Sequence, residues 1–179
     1  MTRAVFLDRD GVLNEAIVRD GHPYSPETIE DLAIVPDAVE ALGKLHSHQF
    51  QLIVVTNQPD IARGKIAREQ VMQINRHICS VLPIDAVEVC EHDDADRCDC
   101  RKPKPGMLIR AAERGKIKLS ESFMIGDRWR DVEAGRRARC RTVLIDKGYS
   151  EGLQSQPDVV VNNLSEAINW ILAQPQQTR

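Results

Sequence analysis

The stretch VFLDRDGVLN, residues 5–14, runs from three apolar residues directly into Asp8, Arg9, Asp10 and Gly11. An apolar run that stops at polar residues is typical of the end of a buried strand. Side chains two positions apart in an extended chain point the same way, so both carboxylates face one pocket. Because two such charges repel each other, the stretch has two interpretations. Either a divalent cation, Mg²⁺ for all-oxygen ligands, lies between them and one aspartate attacks phosphorus, or the acids cap a turn before the glycine.

Along the rest of the chain, apolar runs rich in Val and Ile alternate with helical patterns. Parallel strands joined by helices produce this alternation, which predicts a three-layer α/β/α sandwich with a mostly parallel, doubly wound sheet. Two polar, irregular segments interrupt it, a flap at about 14–35 and a loop at about 90–100. The predicted strands are 5–7, 52–55, 86–89, 123–125, 142–145 and 159–161, and the predicted helices are 38–44 and slightly beyond, 68–81, 106–114, 132–137 and 165–172.

Size and charge limit the class of protein. A chain of 179 residues suits one domain spanning 1–179. Its net charge of −3 does not favour binding to nucleic acid or to an anionic membrane surface. No apolar run approaches the roughly 20 residues of a membrane span, and the N-terminus lacks the pattern of a signal peptide. We therefore expect a cytoplasmic protein, and its small size suits a monomer.

Ligands bind beyond the carboxyl ends of the strands in open parallel sheets, and two further strand ends are polar. Thr56, Asn57 and Gln58 follow the run 52–55 and offer a hydroxyl and two amides. This set suits contacts to a phosphoryl substrate, although Thr and Asn also form ordinary turns. Asp127 follows another apolar run, where it either completes a metal site or forms a Gly-Asp turn.

A basic segment precedes the predicted helix at 106. Arg101, Lys102 and Lys104 supply three cations there, which suit either a phosphate held with a helix N-terminus or a solvated loop. Taken singly, each of these polar segments has an ordinary structural explanation. Together they indicate a functional site more specifically, because an acid pair, a hydroxyl, a lysine and an acid follow one another at four strand ends or the loops after them.

Four motifs, FLDRDGVLN, VVTNQ, CRKPKPGM and IGDRWRD, resemble those of the haloacid dehalogenase superfamily of phosphatases. The resemblance implies that Asp8 is the nucleophile and Asp10 the general acid and base, with its pKa raised when it acts as the acid. It also implies that Asp8, the Asp10 carbonyl and Asp127 bind Mg²⁺, while Thr56 and Lys102 hold the phosphoryl oxygens. Such cations are needed because a dianionic ester is repelled by an anionic nucleophile. The spacing of the motifs leaves no room for the large cap domain that this superfamily often carries.

Four residues in the loop at 90–100 have the spacing of a metal site. Cys90 and His92 are separated by one residue, five residues intervene, and Cys98 and Cys100 are again separated by one. Three thiolates and an imidazole are a preferred set for Zn²⁺, and four filled positions make such an ion structural. The alternatives are buried unligated cysteines or a strained Cys98–Cys100 disulfide. Because Arg101 follows the last ligand, we expect zinc to order the loop that presents cations to a phosphate.

NQPDIARGK and CDCRKPKPGM are similar to segments of phosphatases that remove the 7-phosphate of D-glycero-D-manno-heptose 1,7-bisphosphate, a precursor of surface polysaccharide. This resemblance implies substrate contacts from Arg101 and Arg128. Arg63, after the second strand, and His22, in the flap, are further candidates for substrate contact. The short spacing inside the zinc loop is also similar to that of histidinol-phosphate phosphatases, which remain the alternative.

A phosphoacceptor receiver domain is the alternative outside the enzymes, because it also combines aspartates, a Thr and a Lys on a doubly wound sheet. Receiver domains accept phosphate at the third strand, whereas Asp8 follows the first, and zinc ligands have no place in them. A calcium-binding loop fails because Val12 and Leu13 occupy positions that need an oxygen ligand and a glycine. Release of phosphate over many turnovers with Mg²⁺ distinguishes an enzyme from both.

Overall fold

A computed structural model describes residues 2–152 and 154–175 of the chain. Six strands form one sheet in which every neighbouring pair runs parallel. Two further strands pair antiparallel in a separate hairpin. In chain order the strands are β1 (Arg3–Leu7), β2 (Ile17–Arg19), β3 (His22–Tyr24), β4 (Phe50–Asn57), β5 (Ala86–Cys90), β6 (Phe123–Gly126), β7 (Arg141–Ile145) and β8 (Val159–Val161).

Helices cover both faces of the large sheet, which confirms the predicted three-layer sandwich. Side chains of β1 alternate between the two cores, because Val5 and Leu7 pack on one face and Phe6 on the other. Burying each such side chain stabilises the fold by roughly 1.5–3 kcal/mol. The first, second and fifth helices contribute to the core around Leu7, and the third and fourth to the core around Phe6. They are α1 (Ala38–Ser47), α2 (Arg68–Val81), α3 (Gly106–Gly115), α4 (Trp129–Arg137) and α5 (Leu164–Leu172).

The strand order is β5-β4-β1-β6-β7-β8. From β1 the chain moves to β4 and β5 on one side, then crosses back to β6, β7 and β8 on the other. The end of β1 is therefore the switch point of the sheet, where a crevice opens for ligands. Asp8 directly follows β1 and Asp127 directly follows β6. Thr56 is the penultimate residue of β4. A backbone hydrogen bond joins the ends of β1 and β6, because the Asp8 N–H donates to the Ile125 carbonyl at 2.9 Å.

The flap contains a hairpin of β2 and β3 that the sequence pattern did not indicate. Pro23 lies opposite Val18 in this hairpin, and a proline within a three-residue strand weakens the usual strand signal. The turn of the hairpin contacts the loop after β7, where the Ser150 N–H donates to the Gly21 carbonyl at 3.2 Å. Beyond this flap, the described residues include no cap domain, as predicted.

The helices occupy their predicted positions except at the start of α4. The predicted start at 132 is wrong, because α4 begins at Trp129. The Asp131 carboxylate accepts a hydrogen bond from the Arg128 N–H at 3.1 Å and so stabilises the earlier helix start. Nowhere in the described ranges does a helix have the length and hydropathy of a bilayer span.

Candidate active site

Three buried carboxylates meet beyond the ends of β1 and β6. Oxygen atoms of Asp8, Asp127 and Asp131 lie within 4.8 Å of one another. The buried Lys102 ammonium is 2.8 Å from Asp8 Oδ1 and 2.6 Å from Asp131 Oδ1. Asp127 Oδ1 is buried and has no hydrogen-bond partner among the described residues. One ammonium for three carboxylates leaves negative charge in excess, which either a bound cation or a raised pKa of the acids would compensate.

The electrostatics of this cluster lead to the same conclusion. Burial, and next the charge of Asp131, raise the pKa of Asp8 to about 7. Burial, together with Asp8 and Asp131, raises the pKa of Asp127 well above its usual range. Burial by itself lowers the pKa of Lys102, but the two neighbouring carboxylates outweigh it and raise this pKa, so the lysine stays charged. Oxygen ligands, mutually repelling acids and an unpartnered Asp127 oxygen fit Mg²⁺.

Asp127 is positioned by a glycine and a tyrosine. Gly11 has a φ of +83°, and a Cβ at this residue would lie 1.8 Å from Asp127 Oδ2. A side chain is therefore excluded at Gly11 both by its left-handed backbone and by the approach of the carboxylate. The Tyr149 hydroxyl donates to the same Oδ2 at 2.8 Å. One oxygen of Asp127 is thus held by the protein, while the other remains free for a ligand.

Asp10 accepts hydrogen bonds from three segments of the chain. Arg9 donates from Nε and Nη2, each at 3.0 Å, and Asn14 donates from Nδ2 at 3.0 Å. The Ser25 hydroxyl, in the flap, donates at 2.7 Å, and Gln58 Nε2, after β4, donates at 3.1 Å. The carboxylate of Asp10 therefore fixes the flap against the ends of β1 and β4.

The pKa of Asp10 is lowered in this structure. Burial by itself raises it, but the charge of Arg9 and hydrogen bonds from Arg9, Ser25 and Asn14 outweigh burial and hold the pKa below its usual range. Asp10 is therefore an anion in this structure, and the higher pKa expected when it acts as the acid stays a prediction. An anion suits the base step, and the acid step requires Asp10 to gain a proton after substrate binds.

The polar residues at the end of β4, Thr56, Asn57 and Gln58, have different hydrogen-bond partners. Thr56 is buried at the cleft, and its Oγ1 accepts from Gln58 Nε2 at 3.0 Å. Asn57 exchanges two hydrogen bonds with the backbone N–H and C=O of Lys102, each at 3.0 Å. Gln58 is only 2% exposed and donates to both Thr56 and Asp10. Both amides, predicted to contact substrate, are engaged with the protein and position neighbouring groups.

Every residue predicted as nucleophile, acid–base group, phosphoryl ligand or magnesium ligand lines one cleft. The flap forms part of the same cleft, as expected for a segment that faces the substrate. Arg128, a predicted substrate contact, also lines it, and its guanidinium pairs with Glu151. Besides these residues, the lining includes Pro23, Tyr24, Ser25, Asn57, Arg130 and Asp131.

Four predicted substrate contacts lie outside this lining: Gln58, which donates to Thr56 and Asp10, and three further side chains. Arg63 binds Asp93 of the zinc loop through Nε and Nη2, each at 2.7 Å. The Nε of Arg101 donates to Asp94 at 2.8 Å. His22 is exposed at the first residue of β3. Contact of these three side chains with a substrate stays a prediction.

The sequence reasoning missed several residues of the site, among them Ser25, Tyr149 and Arg130, and it left Asp131 without a role. Tyr149 lies four residues after the end of β7, so the rule that ligands bind beyond strand ends was the available signal for it. Arg130 lies inside the IGDRWRD motif, but an arginine at this position is also common on a solvated helix surface. Asp131 pairs with Lys102, which only the structure reveals.

The four predicted zinc ligands converge, and their donor atoms all lie within 4.8 Å of one another. The three Sγ–Sγ distances are 3.2, 3.4 and 3.7 Å, and His92 Nδ1 lies 3.3 Å from Cys100 Sγ. A tetrahedron with Zn–S bonds of about 2.3 Å has edges of roughly 3.8 Å, so the group fits Zn²⁺. The Cys98 and Cys100 sulfur atoms, 3.4 Å apart, are not disulfide-bonded, which excludes that alternative.

Asp8 follows the first strand, whereas a receiver domain accepts phosphate at its third strand. With the lysine and the further acids at the switch point of the sheet, this position identifies a haloacid dehalogenase-like phosphatase. A family model described as HAD-hydrolase-like matches residues 99–167, from the zinc loop into α5. The fold is similar to that of the D,D-heptose 1,7-bisphosphate phosphatase from B. bronchiseptica complexed with magnesium and phosphate. That structure has a TM-score of 0.81 and 27% identity, covering 95% of this chain and 98% of that one.

Relatives extend the comparison over nearly the whole chain. The D-glycero-beta-D-manno-heptose-1,7-bisphosphate 7-phosphatase of Pasteurella multocida (strain Pm70) is 34% identical over 180 residues, covering 93% of this chain and 95% of that protein. The enzyme of the same name from Photorhabdus laumondii is 35% identical over 178 residues, covering 91% and 92%. The chain therefore belongs to the D-glycero-D-manno-heptose-1,7-bisphosphate 7-phosphatase family.

Proposed function

We propose that this protein is a Mg²⁺-dependent phosphatase that removes the 7-phosphate from D-glycero-D-manno-heptose 1,7-bisphosphate through an aspartyl phosphate on Asp8. The observation that carries the proposal is the buried cluster of Asp8, Lys102 and Asp127 at the open carboxyl end of the sheet. The names of the relatives support the choice of substrate. We further infer that 1–179 acts as a single phosphatase domain, as a monomer in the cytoplasm.

In the first step, an Asp8 carboxylate oxygen attacks the phosphorus atom and the bond from phosphorus to the sugar oxygen breaks. The departing oxygen takes a proton from Asp10. Lys102 and the Thr56 hydroxyl hold the phosphoryl oxygens during transfer, since a fixed cation and a fixed donor stabilise the charge that develops there. Asn57, which binds the backbone of Lys102, fixes the position of that cation.

In the second step, water attacks the phosphorus atom of the aspartyl phosphate, and Asp10 takes its proton. Inorganic phosphate leaves, and Asp8 returns as a free carboxylate. Asp8, Asp127 and the backbone carbonyl of Asp10 would hold Mg²⁺, which supplies positive charge against the repulsion between the ester and the nucleophile. Asp131 also binds the Lys102 ammonium, at 2.6 Å, and helps to keep it charged.

Histidinol phosphate is the second candidate substrate, because only five residues separate His92 from Cys98 in the zinc loop. The test compares kcat/KM for heptose 1,7-bisphosphate with that for histidinol phosphate under saturating Mg²⁺. We expect the heptose ester to be favoured by at least about 100-fold, since a site that binds a second phosphate leaves charges unpaired with the other substrate. Faster turnover of histidinol phosphate would contradict the assignment.

We propose that the cluster of Cys90, His92, Cys98 and Cys100 binds one structural Zn²⁺ per chain. Replacing Cys100 by Ser is expected to release zinc and raise KM for substrate about tenfold, because the ligand directly precedes the basic segment that presents Lys102. Mg²⁺ affinity, measured by calorimetry, should change little. The matched control is Cys79→Ser, on α2 and outside the cluster, which should retain zinc. Full activity in zinc-free protein would reject this role.

Tyr149 is proposed to position Asp127 for Mg²⁺. Replacing it by Phe removes the 2.8 Å hydrogen bond to Oδ2 and should weaken Mg²⁺ binding about tenfold, as expected when a partner of a metal ligand is lost. Calorimetric titration with Mg²⁺ measures the effect directly. The Tm of the metal-free variant reports any general loosening of the loop. An unchanged Mg²⁺ affinity would show that Asp127 needs no such support.

A further inference from the structure

Arg9 is a large charged side chain that is completely buried. Its guanidinium donates from Nε to Asp10 Oδ1 and from Nη2 to Asp10 Oδ2, each at 3.0 Å. The other described donors, Asn14, Ser25 and Gln58, each bind one oxygen of this carboxylate. A two-pronged contact fixes the plane of a carboxylate as well as its position. Arg9 is therefore the contact that sets the orientation of Asp10.

Helix α2 holds the guanidinium in turn. Its third nitrogen, Nη1, donates to Asn75 Oδ1 at 3.0 Å, and Asn75 is only 4% exposed. A guanidinium has donors and no acceptor, so the amide has to present its oxygen. Asn75 Nδ2 is buried and has no acceptor among the described residues. The hydrogen bond to Arg9 is thus the one polar contact of the Asn75 side chain within the part of the chain that the structure describes.

Stability alone does not explain this arrangement. Arg9 and Asp10 are consecutive residues, so their ion pair adds no link between distant segments. A buried ion pair is often no more stabilising than well-packed apolar side chains of similar volume. Neither Arg9 nor Asn75 lines the cleft, so neither is placed to contact a substrate there. The group that the two residues do reach is the carboxylate that transfers the proton in the proposed reaction.

We propose that Arg9 and Asn75 are positioning residues for Asp10, and that they orient its carboxylate to give a proton to the departing sugar oxygen as the P–O bond breaks. The inference rests on the proposed function, because it assumes that Asp10 is the general acid. A general acid contributes roughly 10²–10⁴-fold to the rate, and a misplacement of about 1 Å costs roughly 100-fold. Helix α2 thereby affects catalysis, although none of its residues lines the cleft.

The test compares kcat/KM for two esters with different leaving groups, β-glycerol phosphate and p-nitrophenyl phosphate. An alkoxide is a poor leaving group without a proton, whereas p-nitrophenolate departs without one, so the first ester depends far more on the general acid. Asn75→Leu keeps the charge of Arg9 and removes its anchor. It should lower kcat/KM about tenfold for β-glycerol phosphate and less than about twofold for p-nitrophenyl phosphate. Asn75→Asp, which keeps an acceptor for Nη1, should recover most of the loss.

Arg9→Lys tests the two-pronged contact itself. Lysine keeps the positive charge but lacks the planar fork, so this variant should show the same larger loss for β-glycerol phosphate. The matched control is Gln73→Ala, an exposed amide on α2, which should leave both kcat/KM values unchanged. The Tm of each variant reports whether it folds. Equal losses for the two esters, or no loss in either variant, would overturn the positioning role.

Asp10→Asn separates this inference from the proposed function. This variant should also lose more activity with β-glycerol phosphate than with p-nitrophenyl phosphate. Equal losses for the two esters would reject the acid role of Asp10, and the inference with it. If Asp10→Asn discriminates between the esters but Asn75→Leu and Arg9→Lys do not, only the positioning role fails. A preference for histidinol phosphate would change the assigned substrate and neither of these results.

Discussion

Replacing Asp8 by Asn is expected to lower kcat for phosphomonoesters by roughly 10⁴-fold or more, because the amide cannot accept the phosphoryl group. Asn has nearly the same size as Asp, so the sheet and the cleft should form normally. The substitution also removes one of three mutually repelling carboxylates. We therefore expect the Tm of the metal-free variant to equal or exceed that of the unchanged protein.

Initial rates of phosphate release with saturating Mg²⁺ measure this effect. The matched control is Asp99→Asn, whose carboxylate is 99% exposed in the zinc loop and lies outside the cleft. The control should keep the activity of the unchanged protein. If the Asp8 variant released phosphate at a similar rate to this control, the nucleophile would have to be another group.

Replacing Lys102 by Met is expected to lower kcat/KM by roughly 10³-fold, since a fixed cation in a buried site strongly stabilises the charge of the transferring phosphoryl group. It should also destabilise the metal-free protein by about 3 kcal/mol, because the Asp8 and Asp131 carboxylates lose their common partner while buried. Added Mg²⁺ should recover part of the stability but little of the activity.

Activity assays and urea unfolding with and without Mg²⁺ separate these two effects. Lys65→Met is the control, because this lysine is 67% exposed and lies 3.9 Å from its nearest acid, Asp60. A Lys102 variant that lost activity but kept full metal-free stability would mean that the three carboxylates do not repel one another as argued. A variant that kept activity would remove Lys102 from the mechanism.

Strand ends made the catalytic centre predictable from the sequence. Each of Asp8, Thr56 and Asp127 stands at or beside the end of an apolar run, and parallel strands align such ends at one edge of the sheet. The zinc ligands were predictable for a similar reason, because residues two positions apart in an extended segment point the same way. In both cases local spacing and a simple topology were sufficient.

Contacts between loops were not predictable, because they depend on the path of segments without periodicity. The hydrogen bond from Tyr149 to Asp127 joins residues 22 positions apart, and neither side chain has a pattern that indicates the other. The pKa of Asp10 depends on Ser25, which reaches it only because the flap folds into a hairpin.

The central claim is that Asp8 carries the phosphoryl group during turnover. Acyl phosphates are reduced by borohydride, so quenching the reaction with this reagent converts a phosphorylated aspartate to homoserine, which peptide mass spectrometry locates. We predict homoserine at position 8 only when both substrate and Mg²⁺ are present. Continued release of phosphate with no homoserine at position 8, or with homoserine at another aspartate, would contradict the account.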